Sequence, residues 1–599
     1  MRKNKLTGPN NMGKGMKVKN FKQSIKKVII YLRKERLLII VALVIAVIGS
    51  IFTLLGPDTL TKITDAVTSG IRNNNIDIKY INKLGFILMT FYLFGFLLTT
   101  LKGLIITSVM QKMSYRLRSE IVTKIDNLKM SYFSKNSRGD ILSRVTNDVD
   151  TMGQSLQQST STLITAGSIF LGSLIMMYLT NVILATTALL STVIGFVMMT
   201  IIMKKSQGHF AIQQKILGTL NGHIEEMYSG HTIIKAYNAE NNAMEIFDTH
   251  NKTLKDSAFK AQALSGLMMP IMQFIGNFGY VGVCIVGALL AINNQISFGI
   301  IVAFMVYIRL FTQPLGQIAQ SMQQLQSAAA AAHRVFEFLE EEEMTNEDEK
   351  ANLLQDIKGN VEFVNVKFGY EKDKPIIKNF SASIKAGQKV AIVGPTGAGK
   401  TTLVNLLMRF YDIDSGDILL DGLSINDVKR EDVHSLFSMV LQDTWIFEGT
   451  LKENLIYATK NVSEHDLIEA TKAVGLHHFI KTLQHGYDTV LNDNLQLSLG
   501  QKQQITIARS ILANKPMIIL DEATSSIDTR TELEIQNAMD ILMSNRTSFV
   551  IAHRLSTIKN ADLILVVKDG DVCEKGNHHD LLKLNGFYAS LYNSQFEQI

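Results

Sequence analysis

Two stretches of this chain, Thr151 to Met203 and Ala261 to Ile308, contain no Asp, Glu, Lys or Arg. Each is long enough for a pair of membrane crossings of roughly 20 residues apiece. In hydrocarbon every backbone N–H and C=O must be paired within the protein, so such runs fold as helices. At 599 residues the chain also exceeds what one core can use, and two or more domains are expected. Beyond about Glu337 the composition becomes charged, mixed and punctuated by glycine, which reads as water-soluble.

Six spans are expected, near Leu37–Gly56, Leu84–Ile105, Ser161–Tyr178, Val182–Met203, Leu264–Ile292 and Phe298–Leu315. An amphipathic helix in the headgroup region should precede them, because Phe21, Ile25, Val28, Ile29 and Leu32 share one face with lysines opposite. Residues 1–36 hold twelve Lys or Arg and one acid, Glu35. A nucleic-acid arm would explain that charge less well than a cytoplasmic flank, since basic loops stay inside. The links between spans two and three and between four and five are long and basic, and the others are shorter. With the N-terminus inside, the long links are cytoplasmic, and six spans return the chain to the cytoplasm. No cleavable secretory signal is expected, because the first apolar run starts late and is too long. Lys102 and Arg309 lie close to span ends; either could face a cavity, but snorkelling or a place in a cytoplasmic helical extension is the expectation. Cys284 and Cys573 are far apart in sequence and suggest neither a disulfide framework nor a zinc site.

The expected organisation is a basic tail at 1–20, a six-span helical membrane domain at 21–335, a linker at 336–359 and an α/β P-loop domain at 360–599. The Glu-rich stretch from Glu337 to Ala351 reads as a solvated linker or helix end.

The soluble region carries a phosphate-binding pattern. Gly394, Pro395, Thr396, Gly397, Ala398, Gly399, Lys400 and Thr401 fit G-x-x-x-x-G-K-[ST]. The apolar, β-branched Lys389–Val393 before them predicts a buried strand, and Thr401 to Arg409 predicts a helix. Glycines let backbone N–H groups wrap phosphates closely, and the helix N-terminus adds partial positive charge. Lys400 should reach the β- and γ-phosphates, the Thr401 hydroxyl should bind Mg²⁺, and Thr402 begins the helix beside them. Asp521 ends the apolar strand Met517–Asp521 and would hold the same ion; Glu522 follows as a catalytic carboxylate. ATP and Mg²⁺ are therefore the expected cofactors.

Further signals are weak singly and specific in order. Gln442 follows Met-Val-Leu, Leu497-Ser498-Leu499-Gly500-Gln501 precedes a helix-like run, Asp528 closes Ser-Ser-Ile-Asp, and His553 ends an apolar strand. Together they resemble an ABC transporter ATPase domain, and the chain from about residue 20 onward resembles a bacterial ABC exporter half-transporter of the multidrug type. The likeness includes the segments from Tyr132 to Asp148 and from Asn221 to Gly230, which in that family carry short helices pressing on the ATPase domains. The resemblance implies that Tyr370 stacks on adenine, Gln442 senses Mg²⁺, Asp528 is the D-loop residue and His553 the switch histidine at the γ-phosphate. Glu522 is then the base that activates water, held in a site that works by positioning and charge neutralisation.

One departure carries information. The family signature reads Leu-Ser-Gly-Gly-Gln, and here its third position is Leu499. In the family Ser498, Gly500 and Gln501 would meet the γ-phosphate of the opposite subunit. Leucine adds a branched side chain and is expected to restrict φ. A heterodimer with a second half-transporter carrying an intact signature is therefore expected, with one degenerate ATP site. The implied activity is ATP-driven efflux of hydrophobic or amphipathic compounds across a bacterial plasma membrane. A lipid or lipopeptide flippase is the alternative, and an importer or a non-transporting sensor fits less well. Met176, Met177, Met198, Met199, Met268, Met269, Met272 and Met305 suit either an adaptable apolar cavity or ordinary packing. The six spans contain no Asp or Glu to hold a cationic drug.

Overall fold

The computed structural model describes residues 21–596 except 351–356, 372–373, 442–443, 458, 493–496, 522–528 and 553–554. Gln442, Glu522, Asp528 and His553 therefore lie outside the described residues. The chain divides into two units, residues 1–126 with 137–341, and residues 127–136 with 342–599. This differs in two places from the division drawn on sequence: the first unit runs on to Glu341, and Asn127–Asn136 groups with the second.

The first unit is helical. In chain order it contains α1 (Phe21–Tyr31), α2 (Arg36–Arg72) and α3 (Ile78–Asn127). After the short α4 (Met130–Lys135), which belongs to the second unit, come α5 (Arg138–Ser143) and α6 (Val149–Thr180). The remainder is α7 (Val182–Ser229), α8 (His231–Ala236), α9 (Glu240–Gly266), α10 (Met268–Ile292) and α11 (Phe298–Leu339). Among the described residues five helices are long and apolar enough to cross a membrane, and Val182–Ile194 at the start of α7 is a shorter apolar segment. Every predicted span but the fifth sits in one helix, and those helices outrun the spans. The long basic links are helical extensions joined by short turns, because their residues are mostly good helix formers without internal proline. The fifth predicted span is interrupted: α9 ends at Gly266 and α10 starts at Met268. Pro270 explains the break, since it cannot donate to the carbonyl four residues earlier.

The α1 face also differs from expectation. Ser24, Val28 and, just beyond, Leu32 are buried, while Ile29 and Ile30 are exposed. Tyr31 packs edge-on to Phe336 of α11 and lies under the Arg116 guanidinium, whose other contact is Glu35 at 3.0 Å. α11 packs most extensively on α6. Phe304, Tyr307 and Phe311 of α11 form a fully buried cluster with Met177, Leu184 and Val283. Lipid is as apolar as these side chains, so close packing rather than the hydrophobic effect holds the cluster. Met177 is thus packing, not cavity wall. The side chains of Met199, Met268, Met269 and Met272 lie outside the described residues.

The second unit is α/β. One antiparallel sheet comprises β1 (Val361–Phe368), β2 (Ile377–Ile384), β4 (Ser415–Leu420) and β5 (Leu423–Ser424), in the order β2-β1-β4-β5. The larger sheet contains β3 (Lys389–Val393), β6 (Phe437–Val440), β9 (Met517–Asp521), β10 (Thr547–Ile551), β11 (Leu563–Lys568) and β12 (Asp571–Gly576). β7 (Gly449–Thr450) pairs with β8 (Val490–Leu491) apart from both. The larger sheet runs β12-β11-β3-β10-β9-β6 and is parallel except for β12. Strands β9 and β10 are apolar runs covered on both faces, as a parallel sheet requires.

Candidate functional site

The parallel register sets the site. Ile551 pairs with Ile392 on one side and Asp521 on the other, and Val440 pairs with Leu520. Strands β3, β9, β10 and β6 therefore deliver Gly394, Asp521, Ala552 and Leu441 to one carboxyl edge, where ligands bind in open parallel sheets. Sequence reasoning put the phosphate loop, the Asp521 carboxylate and the Gln442 and His553 positions after these same strands.

The loop that leaves β3 demands its glycines. A Cβ on Gly394 would lie 2.1 Å from the carbonyl oxygen of Val567. Gly397 and Gly399 hold φ of +83° and +101°, which side-chain-bearing residues rarely adopt. Gly399 is the N-cap of the helix Lys400–Leu407, whose hydrogen bonding begins with the Leu403 N–H donating to Gly399 O at 3.0 Å. The first-turn N–H groups have no intrahelical acceptor and bring the positive end of the helix to the loop. The Lys400 ammonium folds back over the loop and donates to the carbonyls of Gly394 at 2.8 Å and Pro395 at 3.1 Å. Burial draws its pKa below the ordinary lysine value, and the Asp521 charge opposes that shift. Pro395, Thr396 and Thr401 are exposed, while Ala398 and Thr402 are buried.

Tyr370 stands beside this helix. Its hydroxyl lies 3.3 Å from Thr402 Oγ1, and its ring packs edge-on against Phe368 and Tyr411, each 5.0 Å away between centroids. Backbone donors, a buried ammonium, positive-φ glycines and a nearby carboxylate fit the phosphate chain of a nucleotide. The close approach of Val567 O to Gly394 leaves no side chain in the way.

The segment around Leu499 is built differently. Ser498 caps the helix Leu499–Ala513: its Oγ accepts from the Gln501 N–H at 3.2 Å, and its own N–H donates to Gln501 Oε1 at 2.9 Å. Gly500 is buried. Leu499 is the first helical residue, its φ is not positive, and it is 43% exposed. The expected restriction of φ is therefore corrected, because a helical φ suits any L-residue and leucine adds bulk without backbone strain. Among the described residues no hydrogen bond joins Ser498–Gln501 to the loop at 394–402.

Sequence reasoning missed Glu347. Its place in a run of glutamates suggests a solvated residue, yet its side chain is only 11% exposed and is bonded within the second unit. It accepts from Arg409 at 2.6 Å, from the Arg430 guanidinium at 2.7 Å, from the Arg430 N–H at 2.8 Å and from Lys350 at 3.0 Å. Arg409, at φ +52°, follows the phosphate-loop helix directly, and its side chain is 4% exposed. Glutamates in a row look alike in sequence; only the two distant arginines single this one out.

Lys102 was also misjudged. It does not snorkel: it is 4% exposed and donates to Thr165 Oγ1 at 2.7 Å. Arg309, by contrast, is exposed.

Known proteins resemble this chain along most of its length. Residues 39–315 match the family described as the ABC transporter transmembrane region, and residues 377–525 match the family described as ABC transporter. A fatty acid ABC transporter ATP-binding/permease protein of Mycobacterium bovis is 44% identical over 84% of this chain and 80% of its own. An ABC transporter ATP-binding protein of Bacillus subtilis, YfiC, is 39% identical over 98% of this chain and 96% of its own. Among solved structures, that of a bacterial Atm1-family ABC exporter with ATP bound superposes with a TM-score of 0.74 at 26% identity, over 94% of this chain and 98% of that one.

Proposed function

The chain belongs to the ABC transporters as an exporter-type half-transporter whose membrane region is fused to an ATPase that couples ATP hydrolysis to transport, and from that premise we propose that it exports lipid-like amphiphiles from a bacterial plasma membrane. The observation that carries the substrate class is the 44% identity to a fatty acid transporter over most of both chains. The spans support it, because they hold no carboxylate to attract a cationic drug. The two acids just beyond the first span are engaged. Asp58 pairs with Lys62 at 2.8 Å, and Asp65 accepts from Ser297 at 2.7 Å and from the Gly299 N–H at 2.8 Å. Multidrug export is the second reading, favoured by the apolar, Met-rich spans. The test is ATPase activity in proteoliposomes: oleate and lysolipids stimulate it and cationic dyes do not. Stimulation by dyes alone selects the multidrug reading.

Within the ATPase, this chain's residues have separable tasks. Gly394–Gly399 shape the loop, Lys400 neutralises the phosphate chain, and Thr402 with Tyr370 fixes the base side. Thr401 and Asp521 suit a Mg²⁺ ion, with Gln442 reporting on it, and that ion supplies charge neutralisation at the leaving phosphates. Glu522 takes the proton of the attacking water, His553 orients it, and Asp528 serves as the D-loop residue. The ATPase unit and the N-terminus face the cytoplasm, where ATP is available.

The functional particle is a dimer with a second half-transporter. Ser498 and Leu499 are exposed at a helix N-terminus with no bond to this chain's own loop, which supports their meeting a partner's nucleotide. With leucine in place of glycine, a different partner bearing an intact signature gives one fully competent site. Bound nucleotide drives closure only so far as it binds the closed dimer more tightly than the open one. Co-purification from the native host tests this. Recovery of this chain with only copies of itself would overturn the heterodimer.

A further inference from the structure

Contacts between polar side chains mark several points where α3 meets α6. As numbers rise on α3 they fall on α6, so the two run antiparallel. Arg118 pairs with Asp150. A Cβ on Gly153 would lie 2.6 Å from Ser114 Oγ. Gln157 donates to Thr107 Oγ1 at 2.8 Å. Lys102 closes the series, donating to Thr165 Oγ1 at 2.7 Å and Ser161 O at 3.4 Å. Uncharged residues follow it through Gln111, before the charged stretch holding Lys112, Arg116 and Arg118.

A lysine so near the end of a span ordinarily bends its stem outward to reach water. This one is turned inward and is 4% exposed. Its acceptors are one hydroxyl and one carbonyl, and no described carboxylate forms an ion pair with it. Holding an ammonium within a span without a counter-charge is costly, and such residues mark substrate pathways. Room exists beside it. A Cβ added at Gly103, next in sequence, would meet nothing within 4 Å. The seam is tight at Gly153, and open space adjoins α3 at Gly103, on the flank next to the buried Lys102. From Gly103 a stripe at helical spacing runs through Thr99 to Phe96, both exposed, into the apolar part of the helix.

We infer that Lys102 is a recognition site for the anionic headgroup of an amphiphile whose apolar tail lies along the Phe96 stripe. This rests on the export of lipid-like amphiphiles and names their charge. An entering carboxylate or phosphate replaces the neutral Thr165 hydroxyl with a charge-assisted bond, roughly twice as strong. A neutral or cationic amphiphile of equal length gains nothing from it.

The test is equilibrium binding of labelled oleate and oleyl alcohol to the full chain in phosphatidylcholine nanodiscs at alkaline pH, for wild type, Lys102→Gln and Lys102→Arg. The expected result is oleate binding about tenfold tighter than the alcohol, equivalent to one charge-assisted bond of roughly 1.4 kcal/mol. Lys102→Gln removes that preference while still binding the alcohol, which shows an intact fold, and Lys102→Arg keeps it. Competition by phosphatidylglycerol in the disc identifies a bilayer lipid as the headgroup source; its absence identifies the free acid. An unchanged oleate preference in Lys102→Gln, or none in wild type, overturns the inference and leaves the export reading standing. Failure of both ligands to bind wild type overturns both.

Discussion

The carboxylate of Glu347 accepts a hydrogen bond from the buried guanidinium of Arg409 at 2.6 Å, across 62 residues of chain. Arg409 also donates to Val428 O at 2.8 Å, and Arg430 bridges Glu347 to Asp412. The chain entering the second unit is thereby fastened to the end of the helix that begins at Lys400. Glu347→Ala leaves the buried Arg409 with only Asp412, 3.8 Å away, as counter-charge, which costs up to roughly 3 kcal/mol. Calorimetry should show the unfolding transition of the second unit several degrees lower, and transport per ATP hydrolysed should fall with it. An unchanged transition would mean that the clamp is dispensable.

The same group gives a pH signature. Burial pushes the Glu347 carboxyl up, but the Arg430 N–H, Lys350 and the charges of Arg409 and Arg430 outweigh it and hold its pKa below the usual 4.5. A depressed carboxylate stabilises the fold above its unfolded value and ceases to as pH falls through the folded one. The stability difference between wild type and Glu347→Gln should be constant above about pH 4.5 and shrink below it. Thermal melts of the pair across that range provide the measurement.

The phosphate loop is tested by its glycines. Gly394→Ala drives a methyl group into Val567 O, and Gly399→Ala forces a φ of +101° on alanine. Each should cut binding of a fluorescent ATP analogue by at least tenfold, a loss of about 1.4 kcal/mol or more. Gly422→Ala, at φ +88° with open space around it, strains the backbone as well but should leave nucleotide affinity alone.

Glu522 is proposed as the base for water. Glu522→Gln keeps the shape and hydrogen-bonding reach of the side chain while removing its basicity. Nucleotide binding should persist and turnover should drop by roughly 10²-fold or more, the usual worth of a general base. Single-turnover hydrolysis of bound ATP is the readout, and substantial residual hydrolysis would remove Glu522 from that role.

Any effect of Leu499 on a partner's nucleotide is carried by its side chain, since the Ser498–Gln501 capping box holds the helix start in place. This chain purified alone should hydrolyse ATP slowly, and Leu499→Gly should raise that rate several-fold at a helix cost of about 1 kcal/mol or less. Vigorous transport-coupled hydrolysis by the unmodified chain alone would make leucine a tolerated residue at that position.

Local patterns determined much of this protein. Uncharged runs locate spans because a bilayer excludes unpaired charge, and the glycine spacing at 394–399 locates a phosphate loop because φ preference is a property of the residue itself. The order of motifs identified the family. The tertiary structure decided what depends on distant partners. Only folding brings Arg409 and Arg430 to Glu347, turns Lys102 toward Thr165 instead of water, and pairs Asp65 with the start of α11. Charge and hydrogen bonding act over a few ångströms in space, whereas a sequence records separation along the chain, so an isolated glutamate or lysine reads as solvated until its neighbours are known.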